Sequence, residues 1–194
     1  LQAVTGSSSS EITELSDLAK ELGSTTSFTA SQVVELQTEL AKLGFKTDDI
    51  KNATGSILDL AASLDVGLGE AAEFSGSLVK SFGLTTEETS RVVDVMAKST
   101  SSSALNFESL RESLKLVAPV SKATGVSIET TTALLGVLAD RGLKGSIAGT
   151  GLAKTFIELN KQGITLEEGM RRVKESADPL NTAIDLVGVV AGKT

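Results

Sequence analysis

The sequence predicts an all-α fold: about ten short helices joined as linked antiparallel hairpins in a compact helical domain. Three observations carry that prediction. A phrase made of glycine, an apolar residue and then Ser or Thr with a carboxylate close behind occurs four times, as Gly44-Phe45-Lys46-Thr47-Asp48, Gly83-Leu84-Thr85-Thr86-Glu87, Gly125-Val126-Ser127-Ile128-Glu129 and Gly163-Ile164-Thr165-Leu166-Glu167. The glycines fall 39, 42 and 38 residues apart, which leaves room for two helices of ordinary length in each interval. Between them, apolar residues recur at helical spacing. Each phrase reads as a helix stop followed by a helix start. Glycine takes the left-handed conformation without a Cβ clash, the hydroxyl accepts a free N–H of the next helix, and the carboxylate sits at that helix's positive end. Thr85 with Glu88 and Thr165 with Glu168 extend the phrase to capping boxes.

Taken in order, a Ser-rich entry at Ser7 to Ser10 leads into a helix from about Ile12 to Leu22 that stops at Gly23. Thr29 with Gln32 is a capping box, and Val33, Leu36, Leu40 and Leu43 share one face of the second helix. Ile50, Ile57, Ala61 and Leu64 do the same for a third, after which Gly67 and Gly69 break the chain. Leu68, Ala71, Ser75, Leu78 and Phe82 stripe a fourth. The fifth spans roughly Thr86 to Lys98 and buries Val92 and Met96. Ser99-Thr100-Ser101-Ser102-Ser103 reads as a linker, with Asn106 as the next cap. Phe107, Leu110, Leu114 and Val117 face inward on the sixth helix, which Pro119 should kink or stop because proline lacks the N–H and crowds the preceding turn. Ile128, Leu135 and Leu138 mark the seventh. Gly142 to Leu152 turns into an eighth that reaches about Asn160, and two shorter helices follow, near Leu166 to Glu175 and Leu180 to Val190.

Composition excludes much chemistry. With no His and no Cys, the chain lacks the usual neutral-pH acid/base, the usual thiol nucleophile and the commonest transition-metal ligands. No disulfide can form, which fits a reducing compartment. A formal net charge of -7 argues against a nucleic-acid surface, since phosphate binding draws on clustered Lys and Arg. Arg171, Arg172 and Lys174 form the one tight basic cluster and read as a solvated helix face. No apolar run approaches the ~20 residues that span a bilayer. The start at Leu1, without an initiator Met or a signal peptide, predicts that the natural chain is longer. The 194 residues are expected to form one helical domain within it, with a hinge at 99–106.

Each candidate for chemistry has a plainer structural reading. Asp48-Asp49, Glu87-Glu88 and Glu167-Glu168 could serve glycoside hydrolysis or a hard cation, but all three follow a helix start where the dipole favours acids. Ser77-Leu78-Val79-Lys80 matches a Ser-x-x-Lys nucleophile pattern without its companion motifs. Asn52-Ala53-Thr54 fits a glycosylation acceptor yet falls in mid-helix. The glycine-rich stretch 142–151 lacks the Lys-Ser/Thr ending and preceding strand of a phosphate cradle. Its small residues Gly145, Ala148 and Gly149 instead suit a close approach of two helices. No catalytic, cofactor-binding or metal-binding residue is assigned.

Several phrases together resemble the core region of phage tail tape measure proteins, of the lactococcal-phage type common in prophages. They are Thr25-Thr26-Ser27-Phe28-Thr29-Ala30, Leu40-Ala41-Lys42-Leu43-Gly44-Phe45, Ser81-Phe82-Gly83-Leu84, Val117-Ala118-Pro119-Val120, Gly125-Val126-Ser127 and Leu143-Lys144-Gly145-Ser146-Ile147-Ala148-Gly149-Thr150, in the family's order and ending by about Lys161. Gly151 departs from the family, which more often has Ala there. The resemblance implies a structural virion protein, not an enzyme, that needs no cofactor. It would be made in the bacterial cytoplasm, occupy the tail tube lumen, set tail length, and leave before or with the DNA. Implied partners are further copies of itself, the tail tube protein, tail assembly chaperones and baseplate proteins. No nucleic-acid contact is expected of this segment. Two other function classes compete: a helical-repeat adaptor presenting one face to a protein partner, and an accessory to a peptidoglycan hydrolase.

Overall fold

The computed structural model describes residues 8–188, which form ten α-helices and no strand. Contacts divide the chain into two compact units, one through residue 102 and one from Ser103 onward. The first unit holds α1 (Ser9–Thr25), α2 (Ala30–Lys42), α3 (Thr47–Leu64), α4 (Leu68–Phe82), a 3-10 turn at Thr86–Glu88, and α5 (Thr89–Ser101). The second holds α6 (Phe107–Thr124), α7 (Ile128–Asp140), α8 (Gly145–Lys161), α9 (Leu166–Glu175) and α10 (Pro179–Val187). Ser7, Val189 and Val190 of the predicted segments lie outside the described residues.

All four phrase glycines close a helix in the left-handed region, with φ of 84°, 69°, 73° and 66° at Gly44, Gly83, Gly125 and Gly163. The apolar residue after each donates its N–H to the carbonyl five residues back. Phe45 bonds Leu40, Leu84 bonds Val79, Val126 bonds Ser121 and Ile164 bonds Leu159, at 2.8 to 3.1 Å. This is the Schellman closure, and it explains why the phrase needs both glycine and a following hydrophobe. Gly142 with Leu143 makes a fifth. On the start side, Thr165 and Ser127 accept N–H bonds from Glu168 and Thr130, and Glu88 takes the N–H of Thr85 at 3.0 Å. The first phrase differs: Lys46 is the cap position, Asp49 accepts its N–H, and Thr47 begins the helix as a buried residue.

Four predicted breaks fall elsewhere. Helix α1 continues through Gly23 to Thr25, because a side chain there would strike the backbone of Ala30 and the bare backbone is what α2 packs against. Helix α3 ends on Asp65, which takes φ 53° itself, so Gly67 caps α4 in extended conformation and Gly69 lies within that helix. The polar tract 99–103 is helical to Ser101, since its hydroxyls turn back onto the carbonyls of Met96, Ala97 and Lys98. Helix α6 runs through Pro119 to Thr124. Pro119 and Lys115 are exposed, so the Lys115 carbonyl that loses its donor can turn to water.

In the first unit the consecutive pair α1 and α2 packs most heavily, followed by the alternate pairs α2 on α4 and α3 on α5, and in the second the alternate pair α6 on α8 dominates. Each unit has its own core, Leu15, Leu36, Leu40, Ile50, Ile57 and Met96 in one, Leu110, Leu114, Ile128 and Phe156 in the other. Buried hydroxyls such as Thr54 and Thr132 are satisfied by the preceding turn, at Ile50 and Ile128, whereas the Ser75 hydroxyl on α4 is buried without a partner among the described residues. Gln37 is half satisfied. It is fully buried, its Nε2 donates to the Leu15 carbonyl at 3.1 Å, and its Oε1 has no partner. Gln37→Met keeps the shape and removes the orphaned oxygen, so urea unfolding should show a gain of roughly 1 kcal/mol; a loss would mean that the Leu15 bond outweighs the desolvated oxygen.

Candidate functional site

The paired carboxylates spend themselves on helix starts and ion pairs. Asp48 and Glu14 both reach Lys51, at 3.0 and 2.7 Å. Glu88 pairs with Arg91 at 2.8 Å. Glu168 holds Arg171 and Arg172, and Arg171 also holds Glu175, so the two arginines of the basic cluster on α9 are charge-matched. Because Glu168 is committed to these arginines, it does not return the bond to the Thr165 N–H that a full capping box would need. Among the described residues no group of three or more His, Cys, Asp or Glu could hold a metal ion, and no helix is long and apolar enough to cross a membrane.

These placements shift titrations in one direction. The Ser8 N–H and hydroxyl hold the Glu11 carboxyl below its usual range. The Thr85 hydroxyl and the residue's own N–H do so for Glu87, and Arg172 then Arg171 for Glu168. A carboxyl whose folded value is depressed contributes stability above its unfolded value and loses it as pH falls through the folded one. Melting temperature should therefore hold from pH 7 to about 5 and fall below that, modestly because these groups lie near solvent. Lys51 works oppositely: Glu14 raises its value, so its contribution persists through neutral pH and is lost only in strong alkali. A melting temperature that rose on acidification from pH 5 would contradict these assignments.

The remaining sequence candidates are not brought together. Ser77 is half-buried on α4 while Lys80 is exposed one turn on, whereas activating a serine needs an amine held out of water. Asn52 is exposed but Thr54 is fully buried within α3. In the glycine-rich stretch, Gly145 and Gly149 are buried against α6. A Cβ on Gly149 would sit 2.5 Å from the Ser113 carbonyl oxygen and 2.8 Å from its Cα. The Ser113 hydroxyl donates to the Gly145 carbonyl at 2.8 Å. This is a helix crossing at backbone distance, with no room for a phosphate.

What the sequence reading passed over is a groove of about 400 Å³ between α8, α9 and α10, walled by Leu159, Leu166, Met170, Val173, Ala183 and Leu186. Its signal was present, since Leu166, Met170 and Val173 stand at i, i+4 and i+7 on α9. The neighbouring Arg171 and Arg172 drew attention to the charged face of α9 instead, while Lys174 of the same cluster lines the groove. The groove offers mainly apolar contact, with Thr155 and Lys174 also among its lining residues.

Residues 16–194 match the family described as phage-related minor tail protein, beyond the last of the quoted phrases. A tape measure protein of Pneumococcus phage Dp-1 is 31% identical over 173 residues, 89% of this chain and 15% of that protein. A probable tape measure protein of Escherichia phage P2 is 34% identical over 153 residues, 78% of this chain and 19% of that protein. The chain thus spans less than a fifth of either relative's length. No solved structure matches it. With nearly its whole length aligned, the chain belongs to the phage-related minor tail protein family.

Proposed function

We propose that this chain is a folded region of a tape-measure-type structural protein of the phage tail, acting in tail assembly, tail length and genome ejection and performing no catalysis. The observation that carries the reading is the likeness of most of its length to two tape measure proteins. Within that role it is a compact node and a poor yardstick. A continuous helix of 194 residues would reach on the order of 290 Å, whereas the longest described helices have 18 residues and about 27 Å. Longer uninterrupted helices elsewhere in the protein would do the measuring. The node would contact other copies, the tail tube protein, assembly chaperones or baseplate proteins inside the tube lumen, after synthesis in the bacterial cytoplasm.

The two units would be joined at a hinge within 99–106. Helix α5 reaches Ser101, and the Ala104 N–H is tied to Asp140 at 2.7 Å, which leaves the 102–103 step to bend. Deleting the coding sequence for this region from a phage that carries it should give particles without functional tails. Particles with normal, infective tails would overturn the proposal.

A further inference from the structure

The three longer helices of the second unit hold one another firmly. Helices α6, α7 and α8 bury seven, six and seven residues, and α6 meets α8 at backbone distance around Gly149. The α9–α10 hairpin is held differently. Of residues 166–187 only Gly169 and Leu186 are buried. Gly169 has no side chain, so Leu186 is the one buried apolar side chain that the hairpin contributes.

The hairpin's polar bonds turn inward on itself. Glu168 holds Arg171 and Arg172, and Arg171 holds Glu175. In the turn, Ser176 bonds Thr182 at 2.6 Å, and Asp178 accepts from the backbone and side-chain amides of Asn181. Such bonds shape the hairpin without fastening it to α8. Across the junction Gln162, just past the end of α8, donates from Nε2 to the Leu186 carbonyl at 2.6 Å. Gly169 rests on Leu159, close enough that a Cβ there would stand 2.9 Å from Leu159 Cδ2. On either side of that seat the packing is open. A cleft of about 150 Å³ lies beside Thr124, Phe156 and Leu166, and the groove of about 400 Å³ lies between Leu159, Met170 and Ala183. Voids on both flanks forfeit dispersion contacts that would bind the hairpin to the helices beneath it.

We propose that α9–α10 is a strap that opens from the second unit as one piece while α6, α7 and α8 stay folded. It joins α8 through Gly163, which stands at φ 66° with no atom within 4 Å of a would-be Cβ, so the link is free of surrounding contact at that point. Seated, the strap shields Leu159, which is 4% exposed. Opened, it bares that side chain and Leu186 to water. With 10 and 9 residues, α9 and α10 are too short to persist alone. Undocking and melting of the two helices are therefore one event, and the hairpin is a low-stability unit of its own. The motion follows from this chain's packing and does not depend on the tail role.

Native-state hydrogen exchange of the whole 194-residue chain reads the opening directly. Amides 170–174 of α9 and 183–187 of α10 should share one opening constant, about 100-fold or more above that of amides 114–118 in α6 and 152–156 in α8. Leu186→Ala should raise the strap's constant by about 10- to 100-fold and leave that of α6 and α8 unchanged. Gln162→Ala should raise it by about threefold or more. The α6 and α8 amides report in the same experiment that each variant remains folded. Strap amides protected as strongly as those of α6 and α8 would overturn the proposal. So would opening constants that climb residue by residue toward Gly188, which is fraying of an end, or a Leu186→Ala chain in which all four helices exchange faster alike.

Discussion

Gly149→Ala should destabilise the chain by about 2–4 kcal/mol, while the same change at Gly151, two residues along the same helix, should stabilise it by roughly 0.5–1 kcal/mol. In α8 both glycines have ordinary helical backbone, so propensity alone favours Ala at each. The surroundings reverse the sign at one. The added methyl at 149 meets the oxygen, Cα and carbonyl carbon of Ser113 at 2.5, 2.8 and 3.0 Å. These are backbone atoms and cannot rotate away, so α6 must retreat from α8. That retreat would stretch the Ser113 to Gly145 bond of 2.8 Å and loosen Leu152 and Phe156 against their neighbours. At Gly151 no atom lies within 4 Å of the would-be methyl, and the residue is exposed. Urea denaturation of the two variants decides the matter, and shifts of the same sign would mean that the two helices do not cross at backbone distance.

Phe156→Ala is expected to cost about 3–5 kcal/mol, the largest loss from any single core truncation in the second unit. The chain has only 6 Phe and no Trp or Tyr, and its cores are otherwise built from small aliphatic side chains. Phe156 is 2% exposed on the α8 face that also carries Ala148, Leu152 and Leu159. It borders a cleft of about 150 Å³ lined by Thr124, Val126 and Ile164. Loss of the ring would open that cleft into the core and weaken three helix junctions together. Phe156→Leu, which retains most of the apolar volume, should lose only about 1–1.5 kcal/mol. A midpoint for Phe156→Ala within about 1 kcal/mol of the parent would show that the site collapses to fill the void.

The residues differ in how openly they declare their roles. Helix ends were legible wherever their chemistry is local. The Gly-plus-hydrophobe closures at 44, 83, 125 and 163 and the caps at Thr29, Asn106 and Thr165 involve partners within five residues. Where tertiary contact decides, local rules misled. Gly23 looked like a stop because glycine is a poor helix former, yet it remains in α1 since Ala30 leaves no room for a side chain. Pro119 stays in α6 because its turn faces water. Asp65 takes the left-handed position that two nearby glycines could have filled more cheaply. The packing of α6 on α8 across the intervening α7 is a long-range choice for which spacing along the chain carries no signal. The groove was half legible, since the α9 stripe stood in the sequence but its completion by Leu186 of α10 needed the fold.

The most direct measurement is tail length in virions whose full tail protein lacks residues 103–188, read by electron microscopy. If this segment is a folded node, the deletion should abolish tails or leave those that form at nearly the parental length. Tails shortened in proportion to the residues removed, at about 1.5 Å each, would mean that the segment lies extended and measures.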